Sequence, residues 1–88
     1  MKMIIGIIRD EDSEPVIQAL VDKGYRVTRI ASTGGFLRRG MTTLIIGVED
    51  EQVDDAIATV GDNCSSTIEP TIRRATLFVL NVEKFTQI

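Results

Sequence analysis

Three short apolar runs constrain this chain most, because each run carries apolar side chains on both of its alternating faces. They are residues 2–9 ("KMIIGIIR"), 42–48 ("TTLIIGV") and 75–82 ("ATLFVLNV"). Runs of this length, rich in isoleucine, leucine and valine, predict buried β-strands. In the first run, Met3, Ile5 and Ile7 alternate with Ile4 and Ile8. Consecutive side chains of a strand point to opposite sides of a sheet, so we predict a sheet that presents apolar surface in both directions.

The first of two predicted helices follows the first strand. The segment "DEDSEP" offers Asp12 or Ser13 as the N-cap and has Pro15 in the first turn, where proline is tolerated. One face of this helix carries Val16, Ile17, Leu20 and Val21. Gly24 stands where a helix ends. Residues 25–32 ("YRVTRIAS") are rich in β-formers and predict the second strand.

The second predicted helix follows the third strand. Val53, Ala56, Ile57 and Val60 fall at positions i, i+3, i+4 and i+7. This spacing is typical of an amphipathic helix. The acidic residues 49–51 complement the helix dipole as its first turn. Residues 61–72 hold Gly, Asn, Ser, Thr and Pro and predict a loop, with a short extended piece left open.

The resulting order, β-α-β-β-α-β, predicts an α+β ferredoxin-like fold in a single domain spanning residues 1–88. Right-handed crossovers then give an antiparallel four-stranded sheet with both helices on one face. The helices cover only that face, while the other face is also apolar. We therefore expect the uncovered face to meet further copies of the chain in a homo-oligomer.

Composition excludes several classes of function. The net charge is −3 in 88 residues, which argues against a nucleic-acid polymer as partner. The chain has no histidine and one cysteine, so neither a metal cluster nor the commonest general base is expected, and we expect no enzyme activity and no cofactor. An acylphosphatase needs a basic phosphate-binding loop after the first strand. This chain has "RDEDSEP" there, whose acidic residues would repel phosphate, so we do not expect that activity. The absence of a long apolar run or a signal peptide predicts a cytoplasmic protein with no membrane partner.

The segment "ASTGGFLRRGMTT" between the second and third strands combines successive glycines with apolar and basic residues, which a plain hairpin does not require. Successive glycines let backbone N–H groups approach a phosphate closely, although one reading is that Gly34 and Gly35 only form a turn. Arg26 and Arg29 lie on opposite faces of one strand, so only one of them can serve a given site. Arg38 and Arg39 are plausible phosphate ligands or solvated surface.

The string "R-x-T-x-x-A-S-T-G-G-F-L-R-x-G", with the opening "MKMIIGIIRDED" and the closing "ATLFVLNVEKFTQI", resembles the PII-like cyclic-di-AMP receptor family (DarA/PstA). The resemblance covers nearly the whole chain and implies a homotrimer whose sheets face inward. It also implies cyclic-di-AMP, a small nucleotide ligand, in each cleft between neighbouring subunits. The contacts implied by position are Arg26, Thr28, Gly35, Phe36, Leu37, Met41, Gly47, Phe78 and Gln87.

Two departures from the family pattern bear on the ligand. The family motif "G-N-T-T" has an asparagine that reads the adenine edge, whereas this chain has Met41. A thioether packs against a base but does not replace the amide's hydrogen bonds. The family's long loop before the last strand is reduced here to residues 64–74, which makes the chain a short-loop variant. The alternative is a trimeric interaction module that does not bind cyclic-di-AMP and serves an unidentified protein target.

Overall fold

The structure is a computed structural model that describes residues 1–32, 40–65 and 74–88. Its elements are β1 (Lys2–Arg9), α1 (Asp10–Asp22), β2 (Arg26–Ser32), β3 (Met41–Val48), a 3-10 turn (Asp50–Gln52), α2 (Val53–Asp62) and β4 (Ala75–Asn81). The strands form one antiparallel sheet in the order β2-β3-β1-β4. This arrangement confirms the predicted ferredoxin-like fold, since β1 and β3 occupy the centre and each βαβ crossover skips one strand.

The hydrophobic core lies between the sheet and the two helices. On the sheet side it contains Ile4, Ile8, Leu44 and Ile46, and on the helix side Val16, Leu20, Ala56 and Val60. All eight side chains are at most 1 % exposed. Burying an isoleucine, leucine or valine side chain stabilises the fold by roughly 1.5–3 kcal/mol.

The opposite side of the sheet, here called the open face, carries Met3, Ile5, Ile7, Ile45, Phe78 and Leu80. The register aligns them across the strands, because Ile5 pairs with both Ile45 and Phe78. Phe78 is 53 % exposed and Leu80 is 42 % exposed, whereas Met3, Ile5 and Ile7 are partly buried. The prediction that the sheet is apolar on both sides is therefore confirmed.

Helix α1 begins at Asp10, ahead of both predicted N-caps. Its N-cap is Arg9, whose side chain makes no capping hydrogen bond. Asp12 is unavailable as a cap because its carboxylate accepts hydrogen bonds from the backbone and side chain of Ser65. The helix ends at Asp22, and Gly24 follows with φ +87°, as its predicted position requires.

The acidic residues predicted as the first turn of α2 form a separate 3-10 turn before it. The Glu49 N–H donates to Gln52 Oε1 at 2.9 Å, and this reciprocal capping box closes the turn.

The apolar stripe of α1 is narrower than predicted: Val21 is 50 % exposed, while Leu20 is fully buried. Within the described ranges, no helix is both long and apolar enough to span a membrane.

Candidate ligand-binding groove

A groove of about 920 Å³ lies at the end of the sheet where β2 begins and β3 ends. Four of the implied ligand contacts line it: Arg26, Thr28, Gly47 and Gln87. Arg26 and Thr28 come from β2, Gly47 from β3, and Gln87 from the tail that follows β4. The structure therefore brings residues of β2 and β3 together with the tail that follows β4.

Register explains how the strand residues meet. Arg26 pairs with Gly47 and Thr28 pairs with Ile45, so these positions are direct neighbours across β2 and β3. Directly opposed side chains of a sheet lie about 5 Å apart. A Cβ at Gly47 would meet no atom within 4 Å, so the glycine leaves open space beside Arg26.

Arg26 differs from the neighbouring arginines in its charge environment. Arg29, three residues on, lies on the helix side and binds Glu14 at 2.7 Å, and Arg9 lies 3.3 Å from Asp12. Among the described residues, Arg26 makes no ion pair. The prediction that Arg26 and Arg29 serve opposite faces is confirmed, and Arg26 retains an uncommitted guanidinium fork in the groove.

The charged side chains that line the groove include both signs, and positive charges outnumber negative ones. Lys2, Arg26 and Lys84 contribute three positive charges, and Glu49 and Glu83 contribute two negative charges. Lys2 Nζ donates to Asn81 Oδ1. A groove of positive balance on a protein of net charge −3 concentrates small anions locally.

The two remaining implied contacts that the structure describes, Phe78 and Met41, do not line this groove. Phe78 lies on the open face but on β4, the edge strand opposite β2, about 14 Å away across three strand spacings. Met41 lies on the same face as Gly47 but at the other end of β3, about 20 Å along the strand. The predicted contacts Gly35, Phe36 and Leu37 lie outside the described residues.

A buried polar cluster at the first turn of α1 was not foreseen from the sequence. Arg9 donates to the backbone oxygen of Ser65 at 2.7 Å, and Ser65 Oγ donates to Asp12 at 2.6 Å. The Asp12 side chain is only 1 % exposed. Burial also raises the pKa of the adjacent Cys64 thiol, which keeps it in its unreactive protonated form.

A second unforeseen cluster links α2 to the start of β2. Asp55 accepts hydrogen bonds from Tyr25 Oη at 2.6 Å and from Lys23 Nζ at 3.1 Å. The hydrogen bond to Asp55 raises the pKa of Tyr25, and the same bond, with that from Lys23, lowers the pKa of Asp55. Asp55 therefore stabilises the packing of α2 against the turn that precedes β2.

The described residues contain no group of His, Cys, Asp or Glu arranged to hold a metal ion.

Fold and groove together define a small α+β domain with a groove of positive charge balance at one end of its sheet. Residues 1–69 match the cyclic-di-AMP receptor family, and the chain belongs to it. Membership supports a signalling protein that binds cyclic-di-AMP. The matched range includes Arg26, Thr28 and Gly47 but ends before Phe78 and Gln87.

The fold also recurs in a crystal structure of a functionally unknown protein from Pediococcus pentosaceus. The two proteins are 29 % identical in sequence, and the alignment covers 99 % of this chain and 96 % of the other with a TM-score of 0.79. The similarity therefore extends through β4 and the tail, beyond the range of the family match.

Proposed function

We propose that this protein is a PII-like signal transduction protein that binds cyclic-di-AMP, or a related adenine nucleotide, in clefts between the subunits of a homotrimer. The observation that carries the proposal is the Arg26 guanidinium, which makes no ion pair with another described residue and lies beside the open space at Gly47. An arginine fork forms bidentate bonds to a phosphodiester, and the missing side chain at position 47 leaves room for the attached nucleoside.

The split of the implied contacts over two sheet edges supports a site between subunits. Arg26 and Thr28 are on β2, and Phe78 is on β4, on the same face. No single subunit brings them together. A rotational ring joins different edges of neighbouring subunits, so the β2 edge of one copy would meet the β4 edge of the next. The open face supports the same assembly, because such a ring would bury it.

The ligand's bases require apolar surface as well as phosphate ligands. Phe78 is half-exposed on the open face and offers an aromatic surface on which adenine can stack. Ile45 lies beside Thr28 in the groove and adds an aliphatic wall. Phosphate recognition by arginine and base recognition by apolar contact are the two components that a cyclic dinucleotide requires.

A second candidate rests on Met41. The side chain is half-buried at the start of β3. It offers no amide for the adenine edge, so a trimeric interaction module without cyclic-di-AMP binding is the alternative function.

Isothermal titration separates the two functions. Cyclic-di-AMP titrated into the wild-type protein is expected to release or absorb heat with one site per subunit. Arg26→Ala removes the phosphate fork and should weaken binding by about ten-fold or more. Lys23→Ala removes one positive charge outside the groove and serves as the matched control.

The absence of heat at tens of micromolar ligand would reject the cyclic-di-AMP assignment and favour the interaction module. Equal weakening by Arg26→Ala and Lys23→Ala would show that only net charge matters and would reject the proposed role of Arg26.

A further inference from the structure

The tail that follows β4 starts from a fixed point at the end of the sheet where the groove lies. The last pair of the β1–β4 ladder joins Lys2 to Asn81, and Lys2 also pairs with Val48 at the end of β3. The next residue, Val82, is held at the same end, because its N–H donates to the Met1 backbone oxygen at 3.1 Å. The chain beyond Val82 therefore enters the groove from the β4 side.

The length of the tail determines how far across the groove it reaches. β2 lies three strand spacings from β4, which is about 14 Å. An extended chain advances about 3.3–3.6 Å per residue, so the three residues from Val82 to Phe85 span up to about 10 Å. Phe85 accordingly lines the groove together with Arg26 and Gly47.

Phe85 differs from the other aromatic residue that lines the groove among the described residues, Tyr25. Tyr25 is only 9 % exposed, and its hydroxyl donates to Asp55 at 2.6 Å, so this side chain belongs to the core. Phe85 is 58 % exposed, so most of its surface is accessible to a ligand. An exposed aromatic ring beside cationic side chains offers a nucleobase a surface for stacking while its phosphate binds nearby.

We propose that Phe85 is a base-binding residue of the groove and stacks on one adenine of the ligand whose phosphate binds Arg26 of the same subunit. The inference rests on the proposed function, which supplies the class of ligand. Cyclic-di-AMP has two adenines, and Phe78 lies on the far edge of the sheet, outside the groove. Phe85 gives each subunit its own surface for one base, and Phe78 of the neighbouring subunit serves the second base.

Substitutions at Phe85 separate stacking from simple apolar packing. Phe85→Ala removes the ring, Phe85→Leu keeps an apolar side chain without an aromatic face, and Phe85→Tyr keeps the ring. Ile88→Ala is the matched control, because Ile88 is fully exposed on the same tail and does not line the groove. Each variant is titrated with cyclic-di-AMP by calorimetry.

We expect Phe85→Ala and Phe85→Leu to weaken cyclic-di-AMP binding about five- to hundred-fold, the range for one lost contact between a base and an aromatic ring. Phe85→Tyr and Ile88→Ala should bind within about two-fold of wild type, because both keep the stacking surface.

Tryptophan fluorescence gives a second readout that does not depend on affinity alone. The chain contains no tryptophan, so Phe85→Trp introduces a single fluorophore into the groove. Cyclic-di-AMP should quench its emission when adenine stacks on the indole, whereas the emission of Ile88→Trp should not change.

Wild-type affinity in Phe85→Ala, with unchanged emission from Phe85→Trp, would overturn the stacking role while leaving the proposed function intact. Weak binding by Phe85→Ala with full binding by Phe85→Leu would show that Phe85 only packs the tail, and would also overturn it. Failure of the wild-type protein itself to bind would reject the proposed function and this inference with it.

Discussion

Arg26 and Phe78 lie on the same face of the sheet but on its two opposite edge strands, β2 and β4. The relationship is fixed by register, because Ile5 pairs with Phe78 on one side and with Ile45 on the other, and Ile45 pairs with Thr28 beside Arg26. A site that uses both residues must therefore draw them from different copies of the chain. Assembly and ligand binding are expected to depend on the same face.

Leu80→Asp should dissociate the oligomer. Leu80 is 42 % exposed on the open face, and a carboxylate there would have to be buried without a partner in the assembly. Light scattering coupled to size-exclusion chromatography should give the mass of three chains for wild type and of one chain for the variant. Val21→Asp is the control, because Val21 is 50 % exposed on α1. Retention of the wild-type mass by Leu80→Asp would place the interface elsewhere.

Gly47→Val should abolish ligand binding and leave the subunit folded. A Cβ at Gly47 meets no atom within 4 Å, so the added side chain enters the open space beside Arg26. Affinity for cyclic-di-AMP should fall at least about ten-fold, as steric filling of a binding pocket predicts. Gly61→Ala, also in open space but on α2, should bind normally and gain about 0.5–1 kcal/mol of stability. Normal binding by Gly47→Val would remove Gly47 from the site.

Asp12→Ala should strongly destabilise the fold. The variant leaves Arg9 buried beside no carboxylate and leaves the Ser65 donors without their acceptor. Denaturant unfolding should show a loss of about 3–5 kcal/mol. The exposed Asp54→Ala on α2 should stay within about 0.5 kcal/mol of wild type. A similarly small effect for Asp12→Ala would mean that solvent compensates the buried arginine.

Tyr25→Phe should reveal a stability contribution that is confined to a window of pH. The lowered pKa of Asp55 means that its contribution is present above the unfolded value of 3.8 and is lost as pH falls through the folded pKa. The raised pKa of Tyr25 means that its contribution is present below 10.0 and is lost as pH rises through the folded pKa. Wild type should therefore melt at a higher temperature than Tyr25→Phe near neutral pH, and the two melting temperatures should converge at both extremes. A difference that is constant across pH would contradict the hydrogen bond between Tyr25 and Asp55.

Strand positions were predictable from the sequence, because the β-period fixes which side chains share a face. The limits of β1 match the predicted residues 2–9, and Arg26 and Arg29 occupy opposite faces as alternation requires. The apolar character of the open face was predictable from the same alternation of side chains.

Contacts between residues distant in sequence were not predictable. Asp12 resembles a helix cap locally, but its carboxylate accepts a hydrogen bond from Ser65, 53 positions away. Asp55 resembles a solvated helix residue, yet Lys23 and Tyr25 from the turn between α1 and β2 donate hydrogen bonds to it. In each case a tertiary hydrogen bond outweighs the role that the local sequence indicates. The spacing of the residues along the chain does not predict such a bond.

The central claim, a ligand site shared between neighbouring subunits, is tested most directly by mixing Arg26→Ala and Phe78→Ala subunits. Each variant alone should lose most cyclic-di-AMP binding, because every site in its ring lacks one contact. In co-assembled rings, a site formed by a subunit with intact Arg26 and a neighbour with intact Phe78 is complete, which random mixing of equal amounts gives for about a quarter of the sites. Titration of the mixture should recover that fraction of wild-type stoichiometry at wild-type affinity. Recovery of no high-affinity sites in mixed rings would contradict a shared site.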